Sequence, residues 1–208
     1  MDNFGLCLII TKPVLSYEEV AQTAVRCGVR YLQLREKDLS DSAILDAARR
    51  IKSVTDGTQV QFVMNDRADL ALLCGADILH LGQDDVSPAD ARKIVGKDMV
   101  IGLSTHSLAQ ARAALALPSE CRPAYIGFGP IYATTTKAIA DPTVGTELLS
   151  EVLSFADIPV IAIGGIFPSN VDTVVAAGAK NLCLVRHFME CCTQEELERR
   201  ITELQKTL

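Results

Sequence analysis

Thr134, Thr135, Thr136 and Lys137 follow directly on the apolar, glycine-containing run IGFGPIYA. Three hydroxyls and an ammonium are poor material for a core, and they stand where a buried strand would end. The same change from apolar to polar recurs along the chain. Gln33, Arg35, Glu36 and Lys37 follow one run; Asn65, Asp66 and Arg67 follow another. His80, Gln83, Asp84 and Asp85, then Ser104, Thr105 and His106, repeat the pattern, as do Gly164 with Gly165 and Arg186 with His187. Any one of these groups reads as a solvated loop. Brought to one rim, they combine cations, carboxylates and neutral donors. That mixture suits a magnesium-bound, multiply phosphorylated ligand: carboxylates hold the metal, cations face phosphate oxygens, and hydroxyls and backbone N–H groups complete the shell.

The elements that must bring them together are short apolar runs, about eight of them. They are LCLIIT from Leu6, RYLQL from Arg30, VQFVM from Val60, DILHL from Asp77, MVIGL from Met99, AYIGFG from Ala124, PVIAIGG from Pro159 and NLCLV from Asn181. They lack clean alternation, as expected of parallel strands buried on both faces. Helical segments separate them. Ser16 with Glu19 reads as a capping box, and TQEE at Thr193 repeats that logic. Ser87 followed by Pro88 reads as an N-cap and first helical residue. Gly28, Gly75 and Gly178 close helices. Strand then helix, eight times without a linker or composition break, predicts a single (β/α)8 TIM barrel domain over residues 1–208. An open doubly wound sheet would more often begin with a glycine-rich turn, and the first run here ends ITKPVLS. In a barrel, chemistry sits at the C-terminal ends of the strands, where the polar sets lie.

Composition excludes several classes. Apolar residues make up 49% and charged residues 22%, ordinary values for a globular protein. A net charge of −6 argues against a nucleic-acid partner. No apolar run approaches the roughly 20 residues needed to cross a bilayer. The start MDNFGLCLII has no basic region of a signal peptide, so a cytoplasmic location is expected. The seven cysteines are scattered and never spaced C-x-x-C; they read as small buried hydrophobes in a reducing compartment. The sequence permits a homo-oligomer without requiring one.

Taken together and in order, QLREK, NDRADLALLCGADILHLGQDD, GLSTH, GPIYATTTK and IAIGGI resemble the thiamin phosphate synthase family, from about Thr11 to Val185. The resemblance implies a compact barrel that joins a pyrimidinylmethyl diphosphate to a thiazole phosphate, with Mg2+ required. It also implies roles. Gln33, Arg35 and Lys37 fall in the motif for the pyrimidine diphosphate, with Asn65, Ser104 and Lys137 as diphosphate contacts. Asp66 and Asp85 match the metal carboxylates; motif register favours Asp85 over Asp84. Thr134 and Thr136 match thiazole-phosphate contacts, and Gly165 with the backbone at Val185 and Arg186 matches a second phosphate site. Arg35, Lys137 and Ser104 are the expected catalytic groups, and His106 shapes the pyrimidine pocket. His80 reads as a hydrogen-bonded core residue. Under this resemblance the glycines of IGFGP keep a strand end slim beside a bound ring, and ATTTKAIADPTVG is long enough to act as a flap. Arg186 is a departure, since these synthases usually carry a small hydroxyl residue there; its side chain is expected to turn inward to the phosphate, the alternative being an outward pose toward solvent or an acidic neighbour such as Glu190. Sister thiazole tautomerases share the barrel, but an isomerase of a monophosphate has no need of Asp66, Asp85 and the Thr-x-Thr-Lys run. A non-catalytic binder is the third reading.

Overall fold

The computed structural model describes residues 4–134 and 141–208. Eight parallel strands close into a barrel in sequence order: β1 (Gly5–Ile10), β2 (Tyr31–Leu34), β3 (Gln61–Asn65), β4 (Ile78–Leu81), β5 (Val100–Thr105), β6 (Tyr125–Phe128), β7 (Val160–Ile163) and β8 (Asn181–Leu184). Closure is made by β1 against β8, with Cys7 beside Cys183. The strands are only four to six residues long, as a chain of this length demands. Around them run α1 (Tyr17–Arg26), α2 (Asp41–Thr55), α3 (Ala68–Cys74), α4 (Pro88–Val95), α5 (Leu108–Leu115), α6 (Gly145–Phe155), α7 (Val171–Ala176), the short α8 (Arg186–Met189) and α9 (Gln194–Gln205).

Each expected strand forms, and for the expected reason. Leu6, Leu8 and Ile10 of β1 face the helices, while Cys7 and Ile9 face the barrel axis. Both sets are buried, so no polar alternation is needed. The axial core is small: Cys7, Ile9, Tyr31, Val63, Ile78, Tyr125, Ile161 and Cys183. Side chains two residues further along several strands point the same way, because the strand period is two. Those are Gln33, Asn65, His80 and Ser104, so the axial filling turns from apolar to polar toward the C-terminal rim.

Caps set where helices begin. Ser16 accepts from the Glu19 N–H and Glu19 returns a bond to the Ser16 N–H, a full capping box. Ser87 caps α4 with Pro88 at the first helical position. Thr193 departs from the expected box: its hydroxyl accepts from the Glu196 N–H, but the Glu196 carboxylate reaches past it to the Cys192 N–H. Among the cysteines, Cys192 is exposed and Cys27 partly so, which corrects the expectation that all are buried; both sit in helix-flanking turns that face outward. Among the described residues, no helix is long and apolar enough to cross a membrane.

Candidate active site

The polar interior layer leads into two adjoining cavities at the C-terminal rim. The inner one holds about 820 Å³ of space counting the open solvent at its mouth. Its wall is largely apolar and slim: Ile9, Gly127, Pro130, Ile163, Ile166 and Phe167 among others. The outer cavity is charged, with Lys37, Asn65, Asp66, Asp84 and Asp85 along it. Arg35, Ser104, His106 and Arg186 line both, together with Thr11, Asp141 and Val185, and these residues form the partition.

Asp66 and Asp85 come together although different strands supply them. Asp66 follows β3 and holds φ at +63°, a left-handed conformation that few residues other than glycine adopt. Its N–H is tied to the His80 carbonyl at 2.7 Å, which fixes the turn. Strain of this kind persists only where the surroundings impose it, and it is concentrated at functional sites. Asp85 takes the Gly82 N–H on Oδ2 at 2.7 Å. Burial and the neighbouring Asp66 carboxyl push the Asp85 carboxyl above its ordinary range; the Gly82 N–H and Lys37 pull the other way. The Lys37 ammonium sits directly on Asp66. Two adjacent carboxylates facing an open, charged cavity match what Mg2+ takes from protein, which is one or two carboxylates with the remainder from water and phosphate oxygens. The site therefore fits the metal that the family resemblance implies.

The rim cations divide into two groups. Arg67 is engaged with Asp41 and Asp69 and serves to anchor the start of α3. Lys12 pairs with Asp38, and its N–H meets the Glu36 carboxylate, which also takes the Tyr17 hydroxyl at 3.0 Å. Glu36 thus shapes the loop after β1 from a nearly buried position and does not face a ligand. Arg35 and Arg186 differ: among the described residues neither guanidinium has an ion-pair or hydrogen-bond partner. The Arg186 guanidinium lies over the Phe167 ring, 5.0 Å from its centre, and borders both cavities.

Gln33 is 4% exposed and lies below the cavity walls, its amide 3.4 Å from Asn65 Oδ1. It supports Asn65 and does not itself line either cavity. His106 is fixed on both sides: its N–H meets Gln110 Oε1 at 2.6 Å, and Nδ1 lies 2.6 Å from the Gly129 carbonyl. That bond places the hydrogen on Nδ1 and turns Nε2 toward Asp141, 3.6 Å away. Thr134, Gly165 and Val185 line the inner cavity. Thr136 and Lys137 lie outside the described residues, as does most of the expected flap.

The glycines of IGFGP both border the inner cavity, and one carries a second constraint. A Cβ on Gly129 would collide with the Ile163 carbonyl, so this glycine serves the contact with β7 as well as lining the inner cavity. Gly127 does keep its wall open to the inner cavity. Sequence reasoning missed Phe167 and Asp141. The run GGIFP marks a loop but not which way its ring turns, and a lone aspartate outside the polar sets that follow the apolar runs gives no signal.

An eight-stranded α/β barrel with an anion-facing rim and a paired-carboxylate site defines a phosphate-handling barrel protein. Comparison with known proteins narrows this. Residues 6–188 match the family model described as thiamine monophosphate synthase. A thiamine-phosphate synthase of Lawsonia intracellularis is 38% identical over 203 residues, covering 96% of this chain and 90% of that one. One from Gloeobacter violaceus is 42% identical over 181 residues; that match spans 87% of this chain and only about half, 52%, of the relative. A thiamine phosphate pyrophosphorylase structure from Pyrococcus furiosus superposes with a TM-score of 0.80 at 25% identity, covering 97% of each chain. The chain belongs to the thiamine monophosphate synthase family.

Proposed function

We propose that this protein is the transferase that couples 4-amino-2-methyl-5-pyrimidinylmethyl diphosphate to a thiazole phosphate, giving thiamine phosphate and pyrophosphate. The observation that supports it best is the division of the rim. A charged cavity with paired Asp66 and Asp85 adjoins a slim apolar one, and Arg35 and Arg186, without an ion-pair partner among the described residues, stand between them. One ligand is a diphosphate, the other a flat ring carrying a single phosphate, and the two cavities match that difference.

The chemistry asks for little beyond charge stabilisation and alignment. The C–O bond from the exocyclic methylene to the diphosphate breaks, and the leaving group keeps the electron pair. The amino-substituted pyrimidine stabilises the cation left behind, and the thiazole nitrogen lone pair then forms the C–N bond. No strong base or nucleophile is required of the protein, which must hold the two rings in line and meet the charge growing on the leaving group. Arg35 offers a fork to the diphosphate oxygens, Asn65 and Ser104 offer neutral donors, and Lys137 is proposed as a further cation there. Asp66 and Asp85 would hold Mg2+, which when bound supplies Lewis-acid stabilisation of phosphate oxygens. Gln33 orients Asn65, and His106, locked to Gly129, walls the pyrimidine side. Thr134, Thr136, Gly165, Val185 and Arg186 form the thiazole-phosphate side. We further propose a cytoplasmic setting, consistent with seven cysteines that are all free thiols.

Pyrophosphate release with both substrates present tests the reading. Turnover that requires both substrates and Mg2+ is the expected result. Conversion of the thiazole phosphate alone, without pyrophosphate, would make the protein an isomerase instead, and binding without turnover would make it a binder.

A further inference from the structure

Below Ser104 the polar layer continues into the barrel as a chain of three side chains. His80 Nε2 lies 2.9 Å from Ser104 Oγ, and His80 Nδ1 lies 3.0 Å from the Tyr125 hydroxyl. The His80 and Tyr125 rings stack, 5.5 Å apart and 23° from parallel. Tyr125 is among the largest fully buried side chains, and it fits because residue 102 is glycine: a Cβ there would collide with the phenol ring. Its neighbours on the axis are Cys7, Tyr31, Ile78, Ile161 and Cys183.

The hydrogens in this chain can be ordered. Burial pushes the Tyr125 phenol well above its ordinary range, so it carries its hydrogen. Among the described residues its hydrogen-bond partner is His80. If His80 donated from Nδ1, as one neutral tautomer or the imidazolium would, the phenol hydrogen would lose the imidazole acceptor and be turned on surroundings whose nearest polar atoms include the weakly accepting sulfurs of Cys7 and Cys183. An unsatisfied buried donor costs on the order of 1–3 kcal/mol. The favourable order has the phenol donating to Nδ1, the imidazole hydrogen on Nε2 donating to Ser104 Oγ, and the serine hydrogen left for the cavity.

We infer that Tyr125 and His80 are positioning residues that fix Ser104 as a hydrogen-bond donor toward the substrate anion. Phosphate oxygens at this pH accept and do not donate, so a serine free to rotate would present a lone pair part of the time. The relay removes that orientation before substrate arrives, which is preorganisation. The inference rests on the proposed function only in taking an anionic substrate to lie above Ser104.

Histidine 15N correlation spectra of the protein test the order directly and need no substrate. The expected result is a neutral His80 with its hydrogen on Nε2. A hydrogen on Nδ1 in the wild-type protein overturns the inference. Tyr125→Phe keeps the ring and removes the donor. His80 should then populate both tautomers, and kcat should fall roughly five- to tenfold, the scale of one oriented hydrogen bond, with the KM for thiazole phosphate unchanged. Because the effect runs through Ser104, Tyr125→Phe should add nothing in a Ser104→Ala background; multiplying effects would refute the relay. His80→Gln, which retains an N–H toward Ser104, should keep more activity than His80→Leu, and equal losses would count against the inference. Should the wild-type protein not couple the two substrates, the function fails, while the tautomer still decides the relay.

Discussion

Replacing Asp85 by asparagine should stabilise the metal-free protein and at the same time abolish its response to Mg2+. Two carboxylates about 4 Å apart repel by roughly 4 kcal/mol at an effective dielectric of 20. The Lys37 ammonium on Asp66 offsets most of that, and the partly open cavity screens more. A remainder of about 1 kcal/mol would raise Tm by about 2–4 °C in a chain of this length. Asparagine keeps an oxygen for the Gly82 N–H, so the local turn is retained. The pH dependence has a definite sign. The Asp85 pKa is raised in the fold above its ordinary 3.8, so its ionised form weakens the native state, and that cost appears as pH rises through the folded-state pKa. The gain from Asp85→Asn should thus be present at pH 7 and fade on acidification toward pH 3.8, where the carboxyl is protonated. Thermal melts in EDTA and across a Mg2+ titration check both halves. The wild-type protein should gain Tm with added Mg2+ and the variant should not. A variant that melts lower in EDTA, or that keeps the wild-type Mg2+ response, would refute the assignment of Asp85 beside Asp66 as a metal carboxylate.

Arg186→Ser should weaken thiazole-phosphate binding several-fold and leave the pyrimidine diphosphate little changed, by calorimetric titration of each; the basis is a guanidinium over Phe167 with no ion-pair partner among the described residues, worth about one charge-assisted bond. Gly129→Ala should destabilise the barrel by about 2–3 kcal/mol in urea melts, since the added methyl meets the Ile163 carbonyl inside a packed strand pair. His187 is held neutral by burial and by Arg200, so its pKa is lowered in the fold. Stability should then fall as pH drops below 6.5, where the unfolded chain takes up the proton first, and His187→Gln should flatten that part of the urea-midpoint profile against pH.

Much of this was legible in the sequence. Eight short apolar runs are visible because strands buried on both faces cannot hide in amphipathic noise, and Ser16, Ser87 and Thr193 mark helix starts through local chemistry that needs no tertiary knowledge. The polar residues after each run were legible as a rim because the barrel forces strand ends together. What escaped depends on register between strands far apart in the chain. Nothing local says that Tyr125 reaches His80, or that Gly102 exists to admit a tyrosine ring. Gly129 reads as a cavity-facing glycine from the run it sits in; that a carbonyl from the next strand also forbids a side chain there could not be read locally. Asp66 could be named as a carboxylate, but its left-handed backbone, which aims it at Asp85, follows from the His80 carbonyl on the neighbouring strand.

The partition between the two cavities has a consequence for how such a site can change. Arg35, Ser104, His106 and Arg186 each face both sides, so a substitution among them alters two specificities at once and most variants would lose on one side what they gain on the other. The routes open to a new substrate run through residues that belong to one cavity alone. Under the proposed assignment of the two cavities, Ile166 and Phe167 could reshape the ring-binding side without touching the diphosphate, and Gln83 and Asp84 could vary on the charged side without touching the ring. Divergence within this architecture should therefore gather at the outer edges of the rim, while its centre stays fixed by the demands of two partners.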